Sequence, residues 1–271
     1  MKVPPVVLSI AGFDPSSGAG ITADIKTAAA QGCFAVTCIT ALTVQSSRGV
    51  FQVQPLEPAL VSRTLRALTE DLDIASVRLG MLGSGAVANA VADFLEAAKL
   101  PNVVLDPVLR ASTGAPLVDE AGLDILRKRL LPVCDVITPN LEEAAELAGC
   151  APLAVESGWE EPLPGIRMMA ARLHELGSRA VVITGGHLNS ANDYLSYVKA
   201  GADGEEVLPG SHLESRSTHG TGCALAMSLA CQLALGRELP EAVRAAKDYV
   251  RRAIAAAYPM GKGIGPINHL V

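Results

Sequence analysis

At 271 residues the chain is long enough to bury a substantial core, and 49% apolar with only 3% aromatic residues suits helices packed on a sheet through small side chains. A formal charge of −6 excludes nucleic acid or an anionic membrane surface as the main partner, while leaving room for a local positive site. Six scattered cysteines, with no C-x-x-C pair and no zinc-ligand spacing, read as free thiols in a reducing cytosol.

The first apolar run is interrupted early by Pro4 and Pro5 and makes a poor signal peptide. Residues 6–10 predict a strand, and a glycine-rich polar stretch then leads into a helix over 21–31. Strands are expected at 35–40, 76–79, 103–105, 135–137 and 180–184, with helices at 59–72, 85–98, 120–130, 141–148 and 166–176. These strands are continuous apolar runs, the pattern of strands buried on both faces. Their alternation with helices implies one α/β/α domain over 1–271, a mostly parallel sheet covered on both sides. Residues 50–56 alternate like an exposed edge strand, 150–165 read as a surface loop, and 193–210 as a hairpin turning near Asp203 and Gly204. Two alanine-rich helices, 222–235 and 241–257, close the chain. The first is too short and too interrupted to span a bilayer, so the expectation is a soluble cytoplasmic protein.

Gly18-Ala19-Gly20-Ile21-Thr22-Ala23 fits the dinucleotide pattern G-x-G-x-x-G/A. The first strand, however, ends near Ala11 and Gly12, well before Gly18, and "CITALTVQSS" offers no carboxylate for a ribose. No Walker A sequence occurs either. What remains is a polar loop at the carboxyl end of a strand, flanked by Asp14 and Asp24, where open α/β sheets bind ligands. Simple turn chemistry at Asp14-Pro15-Ser16-Ser17 explains the same residues.

A second glycine site, Gly220-Thr221-Gly222, opens an apolar helix with Cys223 in its first turn. Free backbone N–H groups and the helix dipole make that end an anion site. They also predict a Cys223 thiol below the free value of about 8.5, able to accept a substrate hydroxyl proton or bond a transferring phosphoryl group. The alternative is a small core residue, as Cys231 reads. Asn140 and Glu143 stand where a strand gives way to a helix; their spacing favours a capping box, with water-mediated Mg²⁺ binding as the functional alternative.

In order, "IAGFDPSSGAGITADIKT", "ITALTVQSSRGV", "GMLGS", "LDPVLRASTG", "TPNLEEAAELAG", "VVITGGH" and "STHGTGCALA" cover nearly the full length. Together they resemble the ribokinase superfamily, most closely its hydroxymethylpyrimidine/phosphomethylpyrimidine kinases of thiamin biosynthesis. The resemblance implies a ribokinase-like fold and two successive phosphoryl transfers from ATP to a small pyrimidine. It places Gly12, Asp24 and Gln45 against the pyrimidine, with Met81 and Val108 lining the pocket. Cys223 matches the cysteine that stands where other superfamily members carry an aspartate base, with Gly220 and Gly222 at the transferring group. ATP is expected near Thr184, Gly186 and Thr221, Mg²⁺ at Asn140 and Glu143, and a homodimer is implied. Two family lysines are replaced: Thr184 stands in the K-G-G-H position, and Leu109-Arg110-Ala111-Ser112 follows "DPV". Pyridoxine or pyridoxal kinases share the fold and remain an alternative, as does a non-catalytic pyrimidine-binding protein.

Overall fold

The computed structural model describes residues 3–111, 114, 116–151, 163–186, 190–199 and 202–271. Its strands are β1 (Val6–Phe13), β2 (Phe34–Ser46), β3 (Gly49–Pro55), β4 (Ile74–Leu79), β5 (Val103–Leu105), β6 (Val136–Ile137), β7 (Ala180–Ile183), β8 (Asp193–Lys199) and β9 (Ala202–Leu208). They form one sheet in the order β3-β2-β1-β4-β5-β6-β7-β8-β9. The six central strands, β2 to β7 in that order, are parallel; β3 at one edge and β8-β9 at the other are antiparallel.

The helices are α1 (Gly20–Ala30), α2 (Pro58–Asp71), α3 (Gly85–Ala98), α4 (Glu120–Ile125), the single turn α5 (Leu131–Val133), α6 (Leu141–Ala148), α7 (Leu163–Glu175), α8 (Thr221–Ala234) and α9 (Leu239–Ala255). A π segment, Leu126–Leu130, joins α4 to α5 within the expected 120–130 helix. Successive strand residues point to opposite faces. Leu8, Leu79, Leu105 and Ile183 therefore pack on Leu65, Val91, Leu147 and Met169 on one side. Val7, Val104 and Val182 pack on Ala28, Met227, Ala230 and Ala246 on the other. Each fully buried leucine or valine contributes roughly 1.5–3 kcal/mol relative to exposure. Helix α8 is buried along nearly its whole length because it lies between the sheet, α1 and α9, and alanines allow that close approach.

Two expectations shift. Strand β2 runs on to Ser46, because residues 41–46 pair with β3 as an antiparallel flap, with Leu42 still opposite Phe13 of β1. Asp203 and Gly204 lie within β9, opposite Val198 and Tyr197, so the hairpin turns before them. The 150–165 loop falls mostly outside the described residues. No helix among them is long and apolar enough to cross a membrane, and all six cysteines are free.

Candidate active site

A cavity of about 1170 Å³ lies at the carboxyl ends of the parallel strands, where β1 is flanked by β2 on one side and β4 on the other. That switch in strand order opens a crevice in an α/β sheet. Its walls come from the loop after β1, the β2-β3 flap, the ends of β4 to β7, and the N-terminus of α8.

Asp14 organises the first loop. Its Oδ1 accepts from Ser16 N (2.8 Å) and Ser16 Oγ (2.7 Å), and its Oδ2 from Ala19 N (2.9 Å) and Gly18 N (3.2 Å). His219 Nε2 lies 2.8 Å from the same Oδ2. Burial alone would raise this carboxyl, but the hydrogen bonds from His219 and Ser16 outweigh it and hold Asp14 below its ordinary value. The glycines serve contact between loops. Gly220 has φ +88°, and a Cβ there would lie 1.8 Å from Gly18 O. The C-terminal segment braces the arrangement: His219 N donates to Gly265 O, Ile264 N to Ser47 O, and His269 Nε2 lies 3.1 Å from Gly18 O.

Four of the five expected pyrimidine residues meet on one wall. Gly12, Gln45, Met81 and Val108 line the cavity. A Cβ on Gly12 would come 2.3 Å from Met81 Cε, so the glycine lets the methionine lie across the strand end. Met81 packs with Ala41 and Leu117, and Val50, Val53 and Val108 extend that apolar surface. Val108 has φ +31°, a strained backbone for a β-branched residue, and such strain gathers at ligand sites. Gln45 accepts from Thr43 Oγ1 at 3.1 Å and places Nε2 3.3 Å from His219 Nε2.

Asp24 is the exception. Its side chain is fully buried and does not reach the cavity wall, which corrects its expected contact with the pyrimidine. Asp24 Oδ2 accepts from Ser9 Oγ (2.5 Å) and pairs with Arg78 Nη1 (3.1 Å). Arg78 extends from β4 with 1% of its side chain exposed, and its Nη2 reaches Asp106 Oδ2 at 2.6 Å. Burial pushes Asp24 up to about 6, against the pull of Arg78 and Ser9. Burial raises Asp106 too.

Cys223 stands partly buried in the first turn of α8, beside Gly220, Thr221 and Gly222 on the cavity wall. Its thiol is pushed up to about 11, the reverse of the sequence expectation. Burial is the main cause; Arg78 opposes it, while Asp106 and Asp24 push the same way. The helix end was legible in the sequence, but the carboxylates beneath it were not.

Asn140 and Glu143 form the capping box: Glu143 N donates to Asn140 Oδ1 (2.9 Å) and Asn140 N to Glu143 Oε2 (3.0 Å). Leu109 N donates to Glu143 Oε1 at 3.2 Å. Burial, reinforced by Asp106, raises Glu143 to about 7. Both residues face the cavity, as do Thr184 and Gly186 at the end of β7. His187 and Ser112 lie outside the described residues. On the Thr184 wall a cation not anticipated from the sequence appears: Lys247 Nζ, from α9, lies 2.7 Å from Asp193 Oδ2 and 3.0 Å from Ala191 O. Arg78 carries a signal in the sequence, a charge inside an apolar strand run, since such residues are rarely buried unless paired.

The model of the phosphomethylpyrimidine kinase family matches residues 14–268. A hydroxymethylpyrimidine/phosphomethylpyrimidine kinase of Streptomyces coelicolor is 42% identical over 98% of this chain and 94% of that protein. Among solved structures, pyridoxal kinase of Bacillus subtilis in complex with ADP superposes with a TM-score of 0.85 at 31% identity, covering 98% of this chain and 97% of that one. Phosphomethylpyrimidine kinase of Clostridium difficile gives 0.77 at 31% identity, covering 92% of this chain and 99% of that one. Matched along almost its whole length, the chain belongs to the phosphomethylpyrimidine kinase family.

Proposed function

We propose that this chain, as one cytoplasmic kinase domain, transfers phosphoryl groups from ATP to 4-amino-5-hydroxymethyl-2-methylpyrimidine and then to its monophosphate, yielding the diphosphate used in thiamin biosynthesis. The observation that carries the reading is one cavity that joins the Gly12–Gln45–Met81–Val108 wall to the N-terminus of α8. A flat apolar ring fits against Met81 and Val108, and the amide of Gln45 supplies both a donor and an acceptor for an aminopyrimidine. In the first transfer the hydroxymethyl oxygen attacks the γ-phosphorus, the bond to ADP breaks, and the hydroxyl proton passes to the Cys223 sulfur. Backbone N–H groups of residues 220–223 face the charge that spreads over the transferring oxygens. The second transfer uses a phosphate oxygen already ionised and needs no base. Thr184, Gly186 and Thr221 line the nucleotide side, where Lys247 supplies the positive charge absent from position 184.

Glu143 and Asn140 fit Mg²⁺ held through water. Each Glu143 oxygen accepts one backbone N–H and retains further lone pairs. Mg²⁺ that keeps its waters needs only one or two carboxylates besides phosphate oxygens. No group of three or more His, Cys, Asp or Glu among the described residues forms a direct cage. When bound, the ion neutralises charge on the donor phosphates. A homodimer is part of the proposal, supported by Leu42, Val44 and Phe51, all exposed on the β2-β3 flap at the sheet edge.

Pyridoxine phosphorylation is the second reading, favoured by the likeness to the pyridoxal kinase fold. ADP release measured in parallel on the pyrimidine, its monophosphate and pyridoxine separates the two. The highest kcat/KM is expected on the pyrimidine pair. A higher value on pyridoxine overturns the substrate assignment, and binding without ADP formation restores the non-catalytic alternative.

A further inference from the structure

Beneath the α8 N-terminus lies a charged cluster with no counterpart in the substrate wall. Arg78 comes from β4, Asp106 follows β5, Asp24 belongs to α1 and Ser9 to β1. The guanidinium therefore bridges two carboxylates, Nη1 to Asp24 at 3.1 Å and Nη2 to Asp106 at 2.6 Å, with Ser9 Oγ on Asp24. The packing is close, since a Cβ on Gly80 would lie 2.1 Å from Arg78 Nη1. Cys223 shares the cavity wall with Arg78 and Asp106, and a Cβ on the adjoining Gly222 would lie 3.9 Å from both Asp106 carboxylate oxygens, while Asp24 pairs with the guanidinium off the cavity wall. Such a cluster is an expensive way to fill a core. Replacing buried ion pairs by apolar residues is often neutral or stabilising, and here Asp24 Oδ1 and Arg78 Nε lack hydrogen-bond partners altogether.

We propose that Arg78 and Asp24 are positioning residues that set the ionisation of Cys223: Arg78 holds its positive charge against the sulfur, and Asp24 attenuates that charge from outside the cavity. The inference deepens the reading of Cys223 as proton acceptor and rests on it for its catalytic meaning. The charged groups that share the cavity wall with the sulfur at this end are Arg78 and Asp106, with Asp24 behind Arg78. Glu143 interacts electrostatically with Asp106, and His219 is turned to Asp14. With both carboxylates ionised the cluster carries one net negative charge. Removing Arg78 therefore makes the surroundings of the thiol more negative, and removing the Asp24 charge makes them less so.

Opposite signs are what a merely structural role cannot produce. The experiment is the pH dependence of iodoacetamide reaction at Cys223 in the full chain without substrates, followed on the Cys223 peptide by mass spectrometry. Asp24→Asn is expected to speed the reaction at fixed pH by several-fold, through a lower apparent thiol pKa. Arg78→Met is expected to slow it about tenfold, the equivalent of one pKa unit. The double variant, which removes one charge of each sign and so guards against misfolding of Arg78→Met, is expected to return close to the parent rate. Acceleration in all three variants would mean that the site has only loosened, and overturns the proposal. In turnover, Asp24→Asn is expected to leave KM for the pyrimidine unchanged while shifting the pH profile of kcat for the first transfer. A tenfold rise in that KM with an unshifted profile would restore Asp24 as a substrate contact and sink the inference. Since alkylation is read without substrate, the positioning role and the base role of Cys223 fail separately.

Discussion

Cys223 illustrates how far a residue's surroundings can reverse what its place on an element suggests. A helix N-terminus lowers a thiol, yet burial against Asp106 and Asp24 wins and the thiol is pushed up to about 11. At neutral pH the sulfur is therefore mostly protonated, and the reactive thiolate is a minor form that grows with pH. The first transfer is expected to rise close to tenfold per unit between about pH 7 and 9, while the second stays nearly flat, in single-turnover measurements. Cys223→Ala is expected to slow the first transfer by about 100-fold or more and the second by less than about tenfold. Equal losses on both substrates would count against the base role. Arg78 matters at the same scale. Without it, two carboxylates and a thiol would share one buried space; with it, burial alone would lower the guanidinium, but Asp24, Cys223 and Asp106 keep it charged.

At the level of elements, the site depends on two loops that touch through glycine. Gly220 needs its left-handed backbone as N-cap of α8 and also leaves no room for a Cβ beside Gly18 O. Gly220→Ala is expected to cost at least about 2 kcal/mol from strain and displacement. It should lower kcat on both substrates, since the backbone donors at the transferring group shift together; denaturant midpoints and steady-state rates check it. A variant as stable and active as the parent would show that the contact is dispensable. The strands and helices around these loops were legible because burial on both faces leaves continuous apolar runs such as "VVLSI" and "VVITG". The far half of β2 was not, because "LTVQS" alternates and makes sense only opposite β3. Asp24 misled for a related reason: a sequence shows which side chain follows a loop, and not whether an arginine from another strand has already claimed it.

For the whole molecule, the β2-β3 flap links substrate wall and sheet edge. Gln45 and Val50 face the cavity, while Leu42 and Val44 are exposed. A second copy seated on that edge would rigidify the wall that holds the pyrimidine. Val44→Lys is expected to shift the protein toward monomer in sedimentation and to raise KM for the pyrimidine more than for ATP. A monomeric parent would remove the homodimer from the proposal. Sequence separation has a further effect. Gly18 is met by His269, and Ser47 is bonded by the backbone of residues 262–264. These contacts join positions some 200 to 250 residues apart. On a ribosome, β1 and its loop emerge well before the segment that braces them. Domains fold as their chains appear, and long-range closures come late. The acceptor wall thus takes shape only once residues 262–269 have emerged, so a nascent chain carries its ligand loop long before it can hold a ligand.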